Sequence, residues 1–152
     1  MKNENEERAS AFSATIDDLK QALFDAEDAL NDLRDKVAVE VVLCHGADEG
    51  LETDGTPVDM RWGDMMTFEK VGKGWGLCYY RSWEDADPTD RVRKSPIGDA
   101  PLRIRKLAAQ KLPELLEAIR QRRNEELEEL KQAAEAARAF AARVYAEEST
   151  RG

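Results

Sequence analysis

The sequence predicts an α+β fold: a long N-terminal helix, a three-stranded antiparallel meander, a short helix and a long C-terminal helix. Three observations lead there. Apolar residues keep a helical spacing over 5–36 and again over 101–147. The apolar period drops to two over 37–82. Glycines and prolines punctuate the joints between these segments. At 152 residues the whole chain, 1–152, reads as a single domain.

The first helix is carried by Phe12, Ile16, Leu19, Leu23, Ala26, Leu30, Leu33 and Val37. These recur at alternating steps of four and three, so they form one unbroken stripe. Ala22 and Ala29 widen it, which suits packing against more than one neighbour. At Val37 the pattern changes. VAVEVVLC (37–44) is β-branched and predicts a strand with Val37, Val39, Val41 and Leu43 on one face. Residues 45–61, with three glycines, a proline and five acidic side chains, read as a solvated loop.

WGDMMTFEKV (62–71) and WGLCYYRS (75–82) are the second and third strands. Between them, GKG could suggest a phosphate cradle. The order G-x-G-x-G matches neither the kinase-type nor the P-loop pattern, and its spacing is that of a tight hairpin. Gly76, inside the third strand, marks a bulge or a close approach by another element.

Residues 83–100 form a proline-containing loop. Asp99 is the expected N-cap of the helical segment, with Pro101 in its first turn. Pro113 lies inside the helical pattern and removes a backbone donor, so a break or kink is expected there within 101–147. The stripe resumes at Leu127, Leu130, Ala134, Ala137, Ala141 and Val144. A strand of eight residues spans about 26 Å, whereas each long helix spans about 45–50 Å. The surplus helix is expected to pair coiled-coil-like beyond the sheet. Phe12, Ile16, Leu19, Leu23, Leu30, Leu33, Leu127, Leu130 and Val144 are the expected oligomer interface, with a homodimer the first expectation.

Charge is unevenly laid out. The chain carries a net −9. Residues 1–60 hold 5 basic and 16 acidic side chains; residues 91–123 hold 10 basic and 3 acidic. The basic segment either complements the acidic first helix or forms an anion-binding patch of Arg91, Arg93, Lys94, Arg103, Arg105, Arg122 and Arg123. No aromatics interleave with it, so base stacking has no platform, and the acidic whole argues against nucleic acid as a general partner. Trp62, Trp75 and Tyr79 either build the small core or present a partner surface.

Chemistry is sparse. Cys44 and His45 are adjacent on a strand and therefore face opposite ways, a poor arrangement for a nucleophile and its base. No metal-ligand spacing occurs, and the acidic loop lacks the EF-hand ligand order, so neither metal nor cofactor is expected. Cys44 and Cys78 read as reduced thiols, with a disulfide between them as the alternative. No apolar run is long enough for a membrane span or a secretory signal, and the expectation is a cytoplasmic protein. These observations together predict a non-catalytic interaction or assembly module that oligomerises through its long helices. The alternative is anion or nucleic-acid binding through 91–123.

Overall fold

The computed structural model describes residues 3–84, 86 and 92–151. It is an α+β arrangement. Helix α1 (Glu4–Asn31) leads into strands β1 (Val39–Leu51), β2 (Pro57–Val71) and β3 (Gly74–Trp83). A two-residue strand, β4 (Ser95–Pro96), and a 3-10 turn (Ile97–Asp99) follow, and then helix α2 (Leu102–Arg151). The sheet is antiparallel in the order β1-β2-β3-β4. It has four strands rather than the expected three. β4 was hidden in the sequence because it contributes only Ser95 and Pro96, too few residues to show a period.

The strand register explains the core. Val39, Phe68 and Leu77 form one row across the sheet; Val41, Met66 and Tyr79 form the next. Side chains alternate between faces, so these rows share one side. Both helices pack on that side. Leu23 and Leu30 from α1 and Ile104, Ala108, Leu115 and Ile119 from α2 join Met66, Phe68 and Leu77 in a single buried cluster. The opposite face carries Glu40, Val42, Met65, Thr67, Cys78 and Tyr80.

The expected loop at 45–61 is mostly strand. β1 and β2 run on as a ribbon to Leu51 and Pro57, closed by a turn at Thr53–Gly55. Asp48, Glu49 and Asp59 sit on this exposed ribbon, where solvated acidic residues do not prevent ladder pairing. Between Val42 and Cys44 the register slips, and Leu43 is the extra residue. The bulge keeps Leu43 buried and also turns Cys44 to the helix side.

The GKG segment is a hairpin turn. Val71 pairs with Gly74, leaving Gly72 and Lys73 as the loop, and Gly72 has φ +60°. Glycine at the first central position with positive φ is the type II′ arrangement. Close by, α1 covers the free edge of β3. Glu27 accepts from the Leu77 amide at 2.8 Å, and Asn31 donates to the Trp75 carbonyl at 2.8 Å. Two strand groups that β4 does not reach are thereby satisfied. Glu27 lies against Gly76, the close approach that the glycine was expected to mark.

α2 is one continuous helix of 50 residues. The expected break at Pro113 is absent. The proline ring itself is exposed, while Ala108, Leu112 and Leu115 around it pack on the core and hold the helix in place. Asp99 is not the helix cap either: it lies in the 3-10 turn and faces Lys20 at 3.8 Å.

The two helices run in the same direction. Lys20 of α1 lies beside Asp99, just ahead of α2, while Arg123 of α2 donates to the carbonyl of Arg34 beyond the end of α1. Each helix therefore leaves the sheet at a different end. The first half of α1 overhangs one end, and residues 124–151 of α2 overhang the other by about 42 Å.

The body depends on the middle of α2. Replacing fully buried Ile119 by alanine should lower stability by about 3 kcal/mol, from lost transfer energy and a residual cavity. Urea unfolding measures this. A loss below about 1 kcal/mol would mean that α2 does not close the core there.

Candidate functional site

The most connected polar cluster is built on the row Cys44–Asp64–Arg81, one step beyond the apolar rows on the helix side of the sheet. Asp64 is fully buried. Its Oδ1 accepts from the Tyr79 hydroxyl at 2.8 Å and from Arg81 Nε at 2.9 Å. Its Oδ2 accepts from Arg81 Nη2 at 3.2 Å, Arg103 Nη2 at 3.1 Å and the Cys44 thiol at 3.2 Å. Arg103 comes from the first turn of α2, so the cluster ties that helix to the sheet. A second contact, from Arg103 Nη1 to Cys44 Sγ at 3.4 Å, completes the ring.

The surroundings fix Arg81. Its guanidinium stacks on the Trp62 ring, 3.7 Å from the centroid. Trp62 in turn lies across Gly46, where an added Cβ would come within 2.1 Å of the ring. Only glycine leaves space for this tryptophan.

Burial pushes the Asp64 carboxyl up, but the donors outweigh it. Arg81 first, then Tyr79, Cys44 and Arg103, hold it well below the usual carboxylate range. The reciprocal effect raises Tyr79, through burial and its bond to the Asp64 carboxylate. On the opposite face Tyr80 is pushed up to about 12, by burial and by its bond to Glu40.

This arrangement is suited to fastening rather than to proton transfer. A carboxylate with five donors and a strongly lowered pKa has neither a free lone pair nor the affinity for a proton that a base needs. Cys44 spends its S–H on Asp64. His45 pairs across from Gly63 on the other face, so the two adjacent residues do not meet. Cys44 and Cys78 are both free thiols. Among the described residues no group of three His, Cys, Asp or Glu side chains is placed to hold a metal ion. A shallow basin of about 530 Å³ lies around Gly63, with Val42, His45, Arg61, Met65 and Ser82 on its walls. Its titratable side chains are His45, Arg61 and Glu84, and the last two lie 4.0 Å apart.

Trp62, Trp75 and Tyr79, the candidate core or partner-surface residues, are each half-buried and each have contacts within the chain. Trp75 packs on Phe68 with ring centroids 5.3 Å apart, Tyr79 belongs to the Asp64 cluster, and Trp62 is covered by Arg81. All three face the helices, because their parity matches that of Phe68 and Leu77.

The basic segment is largely engaged within the chain. Lys94 meets Glu69 at 2.7 Å, and Arg103 meets Asp64. Arg122 bridges Glu125, Glu126 and Glu129 on its own helix, and Arg123 holds the Arg34 carbonyl. Arg93 is exposed and Arg105 half-buried; Arg91 lies outside the described residues.

The helical stripe divides into two parts. Leu23 and Leu30 are buried in the chain's own core, and the half-buried Leu19 and Leu33 pack against it. Ile16 is half-buried, and with Leu19 and Leu102 it lines a groove that ends at exposed Phe12. Leu127, Leu130 and Val144 are exposed on the α2 overhang, and so are Phe140 and Tyr145.

The Asp64 cluster was missed, although a signal existed. Asp64 shares parity with Trp62, Met66 and Phe68, and Arg81 shares parity with Leu77 and Tyr79. Opposite charges at core-parity positions of paired strands are a readable sign of a buried ion pair.

No protein-family model, curated protein or solved structure matches the chain. Among the described residues no helix is long and apolar enough to cross a membrane.

Asp64→Asn should destabilise the protein by about 2 kcal/mol at neutral pH, since two guanidinium groups lose their counter-charge while keeping partial access to water. The folded pKa lies below the unfolded one. The stabilisation is therefore fully present above the ordinary carboxylate range and is lost as pH falls below it. The difference in melting temperature between wild type and variant should shrink steadily from about pH 5 to about pH 2.5. A constant difference across that range would rule out the charge-based account.

Proposed function

We propose that this protein is a non-catalytic assembly module that self-associates through the C-terminal half of α2. The observation that carries this reading is the stripe Leu127, Leu130, Ala134, Ala137, Ala141 and Val144. It lies beyond Arg123, whose bond to the Arg34 carbonyl is the last from α2 to another part of the chain among the described residues, and Leu127 and Leu130 are more than half exposed. An isolated amphipathic helix gains most of its stability from packing, so an uncovered seam of this length favours a partner. Alanines at its centre allow close approach but bury little area each. The body then serves as the rigid base from which the helix projects, and the Asp64 cluster as the clamp that fixes its root.

Anion binding through 91–123 is the weaker reading, because Lys94, Arg103, Lys111, Arg122 and Arg123 already have acceptors in the chain.

Native mass spectrometry and sedimentation should show a dimer that dissociates on dilution. Leu127→Glu combined with Leu130→Glu should give a monomer whose thermal unfolding of the body is unchanged within a few degrees. Leu23→Glu should instead unfold the body, since that side chain is internal. A wild-type monomer at about 1 mM, where an association worth only about −4 kcal/mol would already be populated, would remove the assembly reading.

A further inference from the structure

We propose that the basin around Gly63 binds a free α-amino acid with an aromatic side chain. This site is separate from the α2 overhang and does not depend on the assembly reading.

Three rows on the sheet face opposite the helices build the basin. The middle row is His45–Gly63–Ser82, with Gly63 buried at the bottom. On one side stand Val42 and Met65, which pair with each other. On the other stand Arg61 and Glu84, joined by a bond from the Glu84 amide to the Arg61 carbonyl at 2.9 Å. The bulge at Leu43 brings His45 here. Without the extra residue, strict alternation from Val42 would put Cys44 on this face and turn His45 toward the helices. Bulges re-aim side chains in this way beside binding and active sites.

Gly63 carries the inference. At Gly46 an added Cβ would come within 2.1 Å of Trp62, and at Gly50 within 2.7 Å of Met60, so the neighbours of those two glycines fill the space. Gly63 differs. The nearest atoms to an added Cβ are His45 Nδ1 at 3.5 Å and Met65 Sδ at 3.6 Å, both ordinary contact distances. Its φ is not positive, and the bulge lies on β1 rather than here. Neither backbone conformation nor space requires glycine at this point of an interior strand, where it costs backbone entropy on folding. The remaining reason for a glycine within a strand is the close approach of a ligand or another backbone, and both helices lie on the far side of the sheet. A ligand carbon standing where the Cβ would be touches the imidazole and the thioether at once.

The walls select the ligand. Val42, Met65 and the Gly63 backbone offer an apolar bed, and a thioether sulfur favours the edge of an aromatic ring. At the rim, Arg61 Nε and the Glu84 carboxylate are 4.0 Å apart, too far for a hydrogen bond. Among the described residues the Arg61 side chain donates no hydrogen bond. A simple carboxylate would pair with Arg61 and be repelled by Glu84; a simple amine would do the reverse. A zwitterion satisfies both, with its carboxylate on the Arg61 fork and its ammonium on Glu84. An α-amino acid carries these charges on one carbon and leaves its side chain free to lie on Gly63. A volume of about 530 Å³ is in the range of small-molecule sites. Both rim charges are more than half exposed, so the ion pairs add little and the expected Kd is about 0.1–1 mM.

Titration of the isotope-labelled full chain with L-phenylalanine, followed by two-dimensional NMR, tests this. Saturable shifts are expected at the Gly63, His45 and Ser82 amides. Hydrocinnamate and phenethylamine, which each keep one of the two charges, should bind about 5-fold more weakly, and Arg61→Gln, at an exposed position, should lose about the same factor for L-phenylalanine. Gly63→Ala should weaken binding about 10-fold while raising the melting temperature by about 1–4 °C, because alanine suits the strand but fills the floor. No saturable shift at about 10 mM L-phenylalanine, ten times the weakest expected Kd, would overturn the site. Equal binding of hydrocinnamate or phenethylamine, or an unchanged affinity in Arg61→Gln, would overturn the amino-acid assignment. Wild-type affinity in Gly63→Ala would show that the ligand does not rest on this floor. An unfolded Gly63→Ala would show that the fold itself requires the glycine. Either result removes the argument from Gly63 and the proposal with it.

Discussion

Met66 and Phe68 occupy the centre of the one sheet face that both helices share, and the reach of that face limits everything packed on it. It covers α1 from about Leu19 to Leu33 and α2 from Leu102 to about Arg122. Beyond those points the helices have nothing beneath them. The parallel run of the helices then determines which ends project: the start of α1 at one side and the end of α2 at the other. Had α1 and α2 run antiparallel, the two overhangs could have covered each other within one chain. The connection through four strands and the 3-10 turn instead starts α2 beside Lys20 of α1, and the seam on 124–151 has no cover from α1.

A projecting helix is useful only if its root is rigid. Arg103 stands in the first turn of α2 and reaches down to Asp64, which also holds Arg81 and Tyr79 from β3. One buried carboxylate thus joins β2, β3 and α2 at a place where the apolar rows have already run out. A buried ion pair is weak evidence of stability in itself, since desolvation offsets much of the attraction. Its use here is positional. Apolar side chains could fill the same volume, but they would not fix the angle at which α2 leaves the turn.

The periods in the sequence were enough for the main elements. The change at Val37, the tight hairpin at Gly72 and Gly74 and the apolar seams of both helices could all be read directly. Three features were not legible, each for a physical reason. β4 is too short to have a period. The ribbon at 45–61 looks like a loop because strands that face water on both sides carry the composition of a loop. Pro113 looks like a break because proline removes a backbone donor, but one missing bond in a helix packed along the sheet does not end it. The candidate surfaces divided in the same way. The stripe of α1 has the spacing of an interface, but spacing cannot say whether the partner is another chain or the chain's own sheet, and for Leu23 and Leu30 it is the sheet. For Trp75 and Tyr79, parity with Phe68 already pointed inward.

The alanine-rich composition of the overhang bears on what kind of assembly it can support. A leucine seam of the same length would bury enough surface for a permanent dimer. With alanine at 134, 137 and 141, the seam gains close backbone approach and strong helix propensity but gives up area. Leu127 and Leu130 lie near the root and Val144 near the tip, with the three alanines between them. Under the proposed self-association, a seam with so little area at its centre would give a reversible contact rather than a permanent one.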